Sequence, residues 1–404
     1  SVLVGAWVLT SLGMVALIAY RGDRPSRAAA GRTAIALGVG DAALVGALAI
    51  VLLTIGDPGL GDLGAVAAEL GTRQLSVLGS ADVSVGTAVA LLLVIAAAAR
   101  AAQLPFSRWL PGTLAAPTPV SALLHAGVVN AGGFLLVRLS PVTAESAGAH
   151  LVLAVIAVTT ILVAGGGAMF RSDVKGALAT STSAQMGFML LAVAVGAPLA
   201  AVTHLIGHAL YKAARFLGAG EAVGAARAAR RHGAESSPPT AWRVLFAVAV
   251  PAGVLATTAV LVDPSVLHDA EGWVIAVAIG AVGIRGTWAW LGRGPLEATR
   301  ILGGALGFAV VLLGYLGLLG VLDHLLGRSV SVDGGAVVSA PWALGVLVAA
   351  AAIGAAASRS PVTSPSLVAA LSGVGGVPMT TRVRRSRSSS VSPTPAAPAL
   401  GGAW

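Results

Sequence analysis

Charge is scarce in this 404-residue chain: only 10% of it is Asp, Glu, Lys or Arg, where soluble globular domains carry about 25%. With 56% hydrophobic residues and a mean hydropathy of +0.90, the deficit excludes a soluble fold. Cysteine is absent, which excludes disulfides, cysteine-ligated iron–sulfur clusters and thiolate zinc sites on this chain. A phosphate-binding loop is also lacking. The stretch GAGEAVG (218–224) has suitable glycines but closes an apolar helix and follows no strand. Among 53 glycines such matches arise by chance, and small residues serve close helix packing. The formal charge of +9 invites a nucleic-acid reading, yet the arginines fall between apolar runs and in the tail. Membrane topology accounts for them, and no nucleic-acid partner is expected.

What the chain has in abundance is apolar runs of about 17–25 residues, the length a helix needs to cross a bilayer. Eleven spans are expected, at 2–20, 33–54, 84–101, 118–139, 148–170, 174–197, 199–223, 241–262, 272–292, 301–325 and 341–357. The connections support this count. Arg21, Arg24, Arg27 and Arg32 follow the first span, Arg171 and Lys175 the fifth, Arg227, Arg230 and Arg231 the seventh, and Arg293 and Arg300 the ninth. The intervening connections carry Asp57, Asp62, Glu69, Asp82, Glu145, Asp263, Asp269 and Glu271. This alternation places Ser1 outside and the C-terminal tail in the cytoplasm. The expected fold is all-α: a polytopic bundle in the inner or plasma membrane, with residues 1–357 as the translocating domain. Residues 358–404, rich in Ser, Pro and Arg, read as a disordered cytoplasmic tail. The chain begins at Ser1 inside an apolar segment, with no initiator Met and no cleavable signal pattern; an incomplete N-terminus is the expectation.

One connection departs from the pattern. AAQLPFSRWLPGTLAAPTPVSALLHAG (101–127) holds Pro105, Pro111, Pro117 and Pro119, too broken for a span and too apolar for an ordinary loop. Irregular backbone is tolerated at membrane depth only where it is buried in protein or lines a wet cavity. The segment therefore reads as the second half of a discontinuous third span.

The chemistry concentrates in HLIGHALYK, where His204, His208 and Lys212 recur every fourth residue. Four helical residues turn about 400° and rise about 6 Å, so the three form one inclined stripe roughly 12 Å long. An intramembrane lysine is expensive unless solvated or paired, and three ionisable groups on one stripe suit a proton relay. Zinc is the rival reading of the two histidines, but no third ligand lies nearby in sequence and Lys212 would repel the metal. Further ionisable groups at membrane depth are Arg100 at the end of the third span, His125 at the start of the fourth, Asp41 in GVGDAAL and Lys175 in DVKGALATSTSAQMGFML. Arg100 and Lys175 also admit a reading as snorkelling interfacial anchors; the short side chains of Asp41 and His125 do so less readily. Arg285 in the ninth span reads as a structural partner for an acid.

The stretches QLPFSRWLPGTLAAPTPVSALLHAG, DVKGALATSTSAQMGFML and HLIGHALYKAARFLGAGEAV resemble the proton-translocating antenna subunits of respiratory complex I (the NADH-quinone oxidoreductase subunit L type) and the related cation/proton antiporters. The resemblance covers about residues 1–320 and implies two inverted five-helix repeats, each with a broken helix. It matches Arg100 to the lysine before the first broken helix, His125 to the histidine of the SAL-IHA motif and Lys175 to the lysine of the DIK motif. His204, His208 and Lys212 match the central histidines and lysine, and Asp41 the aspartate of a V-G-D motif. Four departures stand out. Trp7-Val8 replaces Trp-Glu; Arg100 replaces lysine, and arginine does not readily release its proton; AVAVPAGVLATTAV (247–260) keeps only Pro251 of the second broken helix; and no long lateral helix is visible.

Within that superfamily, HAGVVNAGGFLLVRLSP and AWVLTSL look most like the DabB branch, the membrane subunits of DAB-type inorganic-carbon pumps. That resemblance implies H⁺ or Na⁺ flux through this chain. It also implies a cytoplasmic zinc partner of the DabA type, similar to a β-carbonic anhydrase, that converts carbon dioxide to bicarbonate. Zinc is then expected on the partner, and neither a cofactor nor catalytic chemistry on this chain. The alternatives are a proton-pumping subunit of an NADH-quinone oxidoreductase, which would make it part of a translocase, or a subunit of a multi-chain Na⁺/H⁺ antiporter.

Overall fold

The computed structural model describes residues 2–57, 61, 63–77, 81–144, 146–169, 171, 173–219, 241–261 and 298–330, with scattered positions between 276 and 291. Its first half runs α1 (Val2–Ala19), α2 (Arg24–Thr54), α3 (Leu63–Thr72), an antiparallel hairpin of β1 (Gln74–Val77) and β2 (Ala81–Ser84), and α4 (Val85–Arg100). A broken stretch containing the short α5 (Trp109–Gly112) leads to α6 (Thr118–Ala126), α7 (Ala131–Arg138) and α8 (Ser140–Ala144). The remainder comprises α9 (Ala147–Met169), α10 (Val174–Ala194), α11 (Pro198–Leu217), α12 (Ala241–Leu261) and α13 (Ala298–Val330).

Six of these segments are long and apolar enough to cross a membrane: α1, α2, the composite of α6 and α7, α9, α10 and α13, while α3, α4 and α12 give shorter apolar stretches. The expected span at 272–292 is described only at scattered positions, and the expected span at 341–357, the residues of GAGEAVG beyond 219, Arg285 and the tail at 358–404 lie outside the described residues. Two features were not read from the sequence: α3 and the hairpin occupy what looked like a plain polar connection. Helix α2 also begins nine residues before the expected boundary at 33. Its start is built by Asp23, whose carboxylate accepts from the Ser26 amide at 2.8 Å, and by Pro25 in the first turn. That hydrogen bond, together with the Ser26 side chain, holds the Asp23 carboxyl below its ordinary range.

The other helix ends follow from sequence in the same way. Ser84 caps α4 and Asp173 caps α10, each accepting from an amide three residues on. Both helices then stop in the same motif. After α4, Gln103 N–H reaches Ala98 O and Ala102 N–H reaches Ala99 O; after α10, Ala197 N–H reaches Ala192 O and Gly196 N–H reaches Val193 O. The left-handed residue is Gly196 in one (φ +81°) and Ala102 in the other (φ +51°).

Close packing centres on α4. Ala96 to Ala99 are all buried, and two glycines let neighbouring helices reach them. A β-carbon on Gly40 of α2 would stand 2.7 Å from Ala99 Cβ, and one on Gly132 of α7 would stand 2.5 Å from the Ala97 carbonyl oxygen. By contrast, the outer faces of α1, α2 and α13 present Leu9, Leu12, Ile35, Leu53, Leu306 and Val310, as helices facing hydrocarbon do. The broken stretch after Arg100 is held inside the protein by side chains that satisfy its freed backbone groups. Leu104 N–H donates to Thr160 Oγ1 at 3.0 Å, Trp109 Nε1 to Ala99 O at 3.0 Å and Gln103 Nε2 to Ala101 O at 2.7 Å. The Leu104–Pro105 bond within it is cis.

Candidate functional site

The ionisable residues gather into two groups. The first joins α1, α2 and α4 around Arg100, which is 1% exposed. One guanidinium nitrogen donates to Ser11 Oγ at 2.8 Å and Trp7 O at 3.0 Å and stands 3.5 Å from Asp41 Oδ1. The other contacts Met14 Sδ at 3.3 Å, and the cation lies 4.2 Å from the centre of the Trp7 ring. Ser11 Oγ in turn donates to Asp41 Oδ1 at 2.9 Å, so one hydroxyl bridges cation and carboxylate. Val8 stands where the resemblance expects an acid after Trp7, and the carboxylate that meets Arg100 is Asp41 of the next helix. Arg100 is therefore a buried, paired charge, and the reading as a snorkelling anchor does not describe it.

The second group lies along α10 and α11. Helix α11 turns His208 and Lys212 inward and leaves Leu210, Tyr211 and Leu217 outward. Lys212 Nζ donates to Leu178 O at 2.8 Å and Ser181 Oγ at 2.7 Å. Among the described residues no carboxylate forms an ion pair with it. His208 and His204 continue the stripe, their rings 5.9 Å apart and nearly parallel. His204 packs on Phe188 and hydrogen-bonds the Gln185 backbone. Positions 178, 181 and 185 thus present one face of α10 to the whole stripe. Both ring nitrogens of His208 and Nε2 of His204 are shielded from solvent with no protein hydrogen-bond partner.

Two more residues close the group on the broken stretch. His125 of α6 is fully buried, stacked 4.6 Å from Phe216 and 3.1 Å from Thr113 Oγ1 through Nε2. It lies within electrostatic reach of Lys212 and His208. Lys175 Nζ donates to Thr118 Oγ1 at 2.7 Å, tying the start of α10 to the start of α6. His125, His204, His208 and Lys212 thus lie within reach of one another, and Lys175 is tied through Thr118 to the helix that carries His125; Arg100 and Asp41 form a separate pair. Among the described residues no three of His, Asp and Glu converge as metal ligands would. Sequence reasoning missed Ser11, Thr113, Thr118 and Ser181. Only Ser181 carried a signal, lying in the Ser/Thr run of α10 at helical spacing from Leu178 and Gln185.

Comparison with known proteins follows the same segments. The NADH:quinone oxidoreductase/Mrp antiporter transmembrane family matches residues 2–237, more than half of the chain. The chain belongs to that family. It is a multi-pass membrane protein. Similar curated proteins include the probable inorganic carbon transporter subunit DabB of Bacillus subtilis (strain 168), 49% identical over 138 residues, which are 34% of this chain and 27% of the relative. Another is the probable inorganic carbon transporter subunit DabB2 of Halothiobacillus neapolitanus (strain ATCC 23641 / c2), 32% identical over 293 residues, 70% of this chain and 51% of the relative. The chain thus spans between a quarter and a half of the length of these relatives. Among solved structures, a chain of the Mrp complex from Dietzia sp. DQ12-45-1b superposes with a TM-score of 0.54 at 26% identity, covering 95% of this chain and 47% of that one.

Proposed function

We propose that this chain is the membrane subunit of an energy-coupled inorganic-carbon pump and conducts H⁺ or Na⁺ through the α10–α11 group. The observation that carries the reading is Lys212: a buried amine held by two neutral oxygens, one and two helical turns from two histidines with free ring nitrogens. Such a group is too costly at membrane depth to be kept for packing alone, and a lysine solvated by a carbonyl and a hydroxyl can lose and regain its proton. The relatives named as inorganic carbon transporter subunits support the substrate. In this reading the hydration chemistry belongs to a cytoplasmic zinc subunit resembling a carbonic anhydrase, and ion flow along the stripe makes that chemistry one-way. The Arg100–Asp41 pair is a fixed charge that biases the stripe, and the tail at 358–404 faces the cytoplasm.

The test uses cells that lack their own carbonic anhydrase and express this chain with its zinc partner. Growth in ordinary air and bicarbonate accumulation are expected with the wild type. Lys212→Met should lower accumulation about 100-fold, the scale of losing a positioned proton carrier, while membrane level and partner binding stay unchanged. Lys212→Arg should fail equally, because arginine keeps its charge. Normal accumulation by Lys212→Met would overturn the reading. A second reading, an Mrp-type cation/proton exchanger subunit, is favoured by the Dietzia superposition; cation/proton exchange without bicarbonate accumulation would select it.

A further inference from the structure

Gln103 is fully buried and belongs to neither group described above, yet it touches the elements that carry both. It follows Ala102, the left-handed residue that ends α4, and its amide closes the same turn onto Ala98 O, three residues beyond Arg100. Its side-chain nitrogen uses both protons: one goes to Ala101 O at 2.7 Å and the other to Ser183 O on α10 at 3.1 Å. Ser183 stands two residues from Ser181, whose hydroxyl accepts from Lys212. The next residue, Leu104, is tied to Thr160 of α9. Gly187 lets α10 come in so closely that a β-carbon there would lie 3.1 Å from Gln103 Oε1 and 2.9 Å from Ala157 O.

We infer that Gln103 is a positioning residue, its side-chain amide clasping the end of α4 to the α10 turn that holds Lys212. The clasp couples the Arg100–Asp41 pair to the ammonium through a short relay. A displacement of the Arg100 turn pulls on Gln103, Gln103 pulls on the Ser183 carbonyl, and the adjoining turn of α10 carries the Leu178 and Ser181 oxygens. A residue needed only to fill space would be apolar here. Gln103 instead keeps Oε1 buried and without a protein partner, a cost that an apolar side chain of the same size avoids.

This inference rests on the reading of the α10–α11 group as an ion path, and the experiment separates the two. The complex of this chain with its partner is placed in lipid vesicles carrying a pH-sensitive dye, and cation-driven proton movement is followed from pH 5.5 to 8.5. Gln103→Leu keeps the volume and removes the clasp. It should reach wild-type membrane level, melt a few degrees lower because two buried carbonyls lose a donor, leave the KM for the cation unchanged and lower the maximal rate about 10-fold. Gln103→Glu is the rescue: protonated, its new carboxyl donates one bond to Ser183 O, and ionised it faces two carbonyls. Its rate should approach wild type at the acid end and fall to that of Gln103→Leu at the alkaline end. Combined with Ser181→Ala, Gln103→Leu should add little further loss, because both act on one contact chain. If the wild type moves neither protons nor the cation, the ion-path reading falls and the clasp with it. If the wild type moves either and Gln103→Leu matches it in rate, or Gln103→Glu shows the wild-type pH profile, the clasp alone is overturned.

Discussion

At the scale of single residues, Arg100 separates a fixed charge from a carried one. Every contact it makes, to Trp7, Ser11, Met14 and Asp41, uses its charge or its fork of donors. Arg100→Lys keeps the charge, reaches Ser11 or Asp41, and should retain most transport. Arg100→Met leaves the Asp41 carboxylate unpaired; breaking a buried pair costs about 3–5 kcal/mol. The lower end applies, since Asp41 is still 15% exposed. Thermal unfolding in detergent, with transport measured at matched membrane level, checks both, and normal transport by Arg100→Met would remove the first half of the molecule from the ion path. His204 and His208 are expected to act as carriers and not as metal ligands: His204→Gln and His208→Gln should each slow transport, and the purified chain should hold no stoichiometric zinc. One tightly held zinc, lost in His204→Gln, would reverse that assignment. The ionisable residues were legible in the sequence because charge within an apolar run stands out. Their partners were not. Ser11, Thr113 and Thr118 are ordinary residues whose importance comes from distant helices arriving opposite them.

At the scale of elements, the long apolar helices could be read directly, while the short ones could not. Length and hydropathy mark α1, α9, α10 and α13, whereas α3 and the hairpin lie in a stretch whose polar residues resemble a loop. The break after Arg100 was legible from its prolines, but the side chains that satisfy it were not, because Thr160 and Ser183 are 50 residues or more away in sequence. The twin ends of α4 and α10 give a direct comparison. Gly196→Ala puts a β-carbon at φ +81°, which costs about 1–2 kcal/mol. Ala102→Gly relieves a similar strain but loses a fully buried methyl, worth about 0.8 kcal/mol. Thermal melts should therefore show clear destabilisation for Gly196→Ala and no loss of stability, with a gain of at most about 1 kcal/mol, for Ala102→Gly. Gly40→Ala should also destabilise, by about 1–3 kcal/mol, because the opposing Ala99 Cβ has no rotamer with which to yield. Its transport should fall with it as α2 lifts Asp41 away from Arg100; a variant as stable as the wild type would show that α2 and α4 can slide apart freely.

At the scale of the whole molecule, the proportions of α2 matter most. It has 31 residues, about 46 Å of helix, and crosses a hydrocarbon layer of about 30 Å. A rod longer than the slab it crosses must lean or protrude. At its N-terminal end Arg24, Arg27 and Arg32 are exposed while Ser26, Ala29 and Thr33 on the other face are buried, and at its C-terminal end Leu53 is exposed. A tight contact lies at Gly40, one residue past the middle of the helix, where a β-carbon would stand 2.7 Å from Ala99 Cβ of α4. Helix α2 is thus a beam resting on a fulcrum, and the Asp41 that meets Arg100 sits beside the pivot, where the arc of any tilt is smallest. A thicker or thinner bilayer would swing the arginine end across the surface and leave the buried ion pair almost where it was.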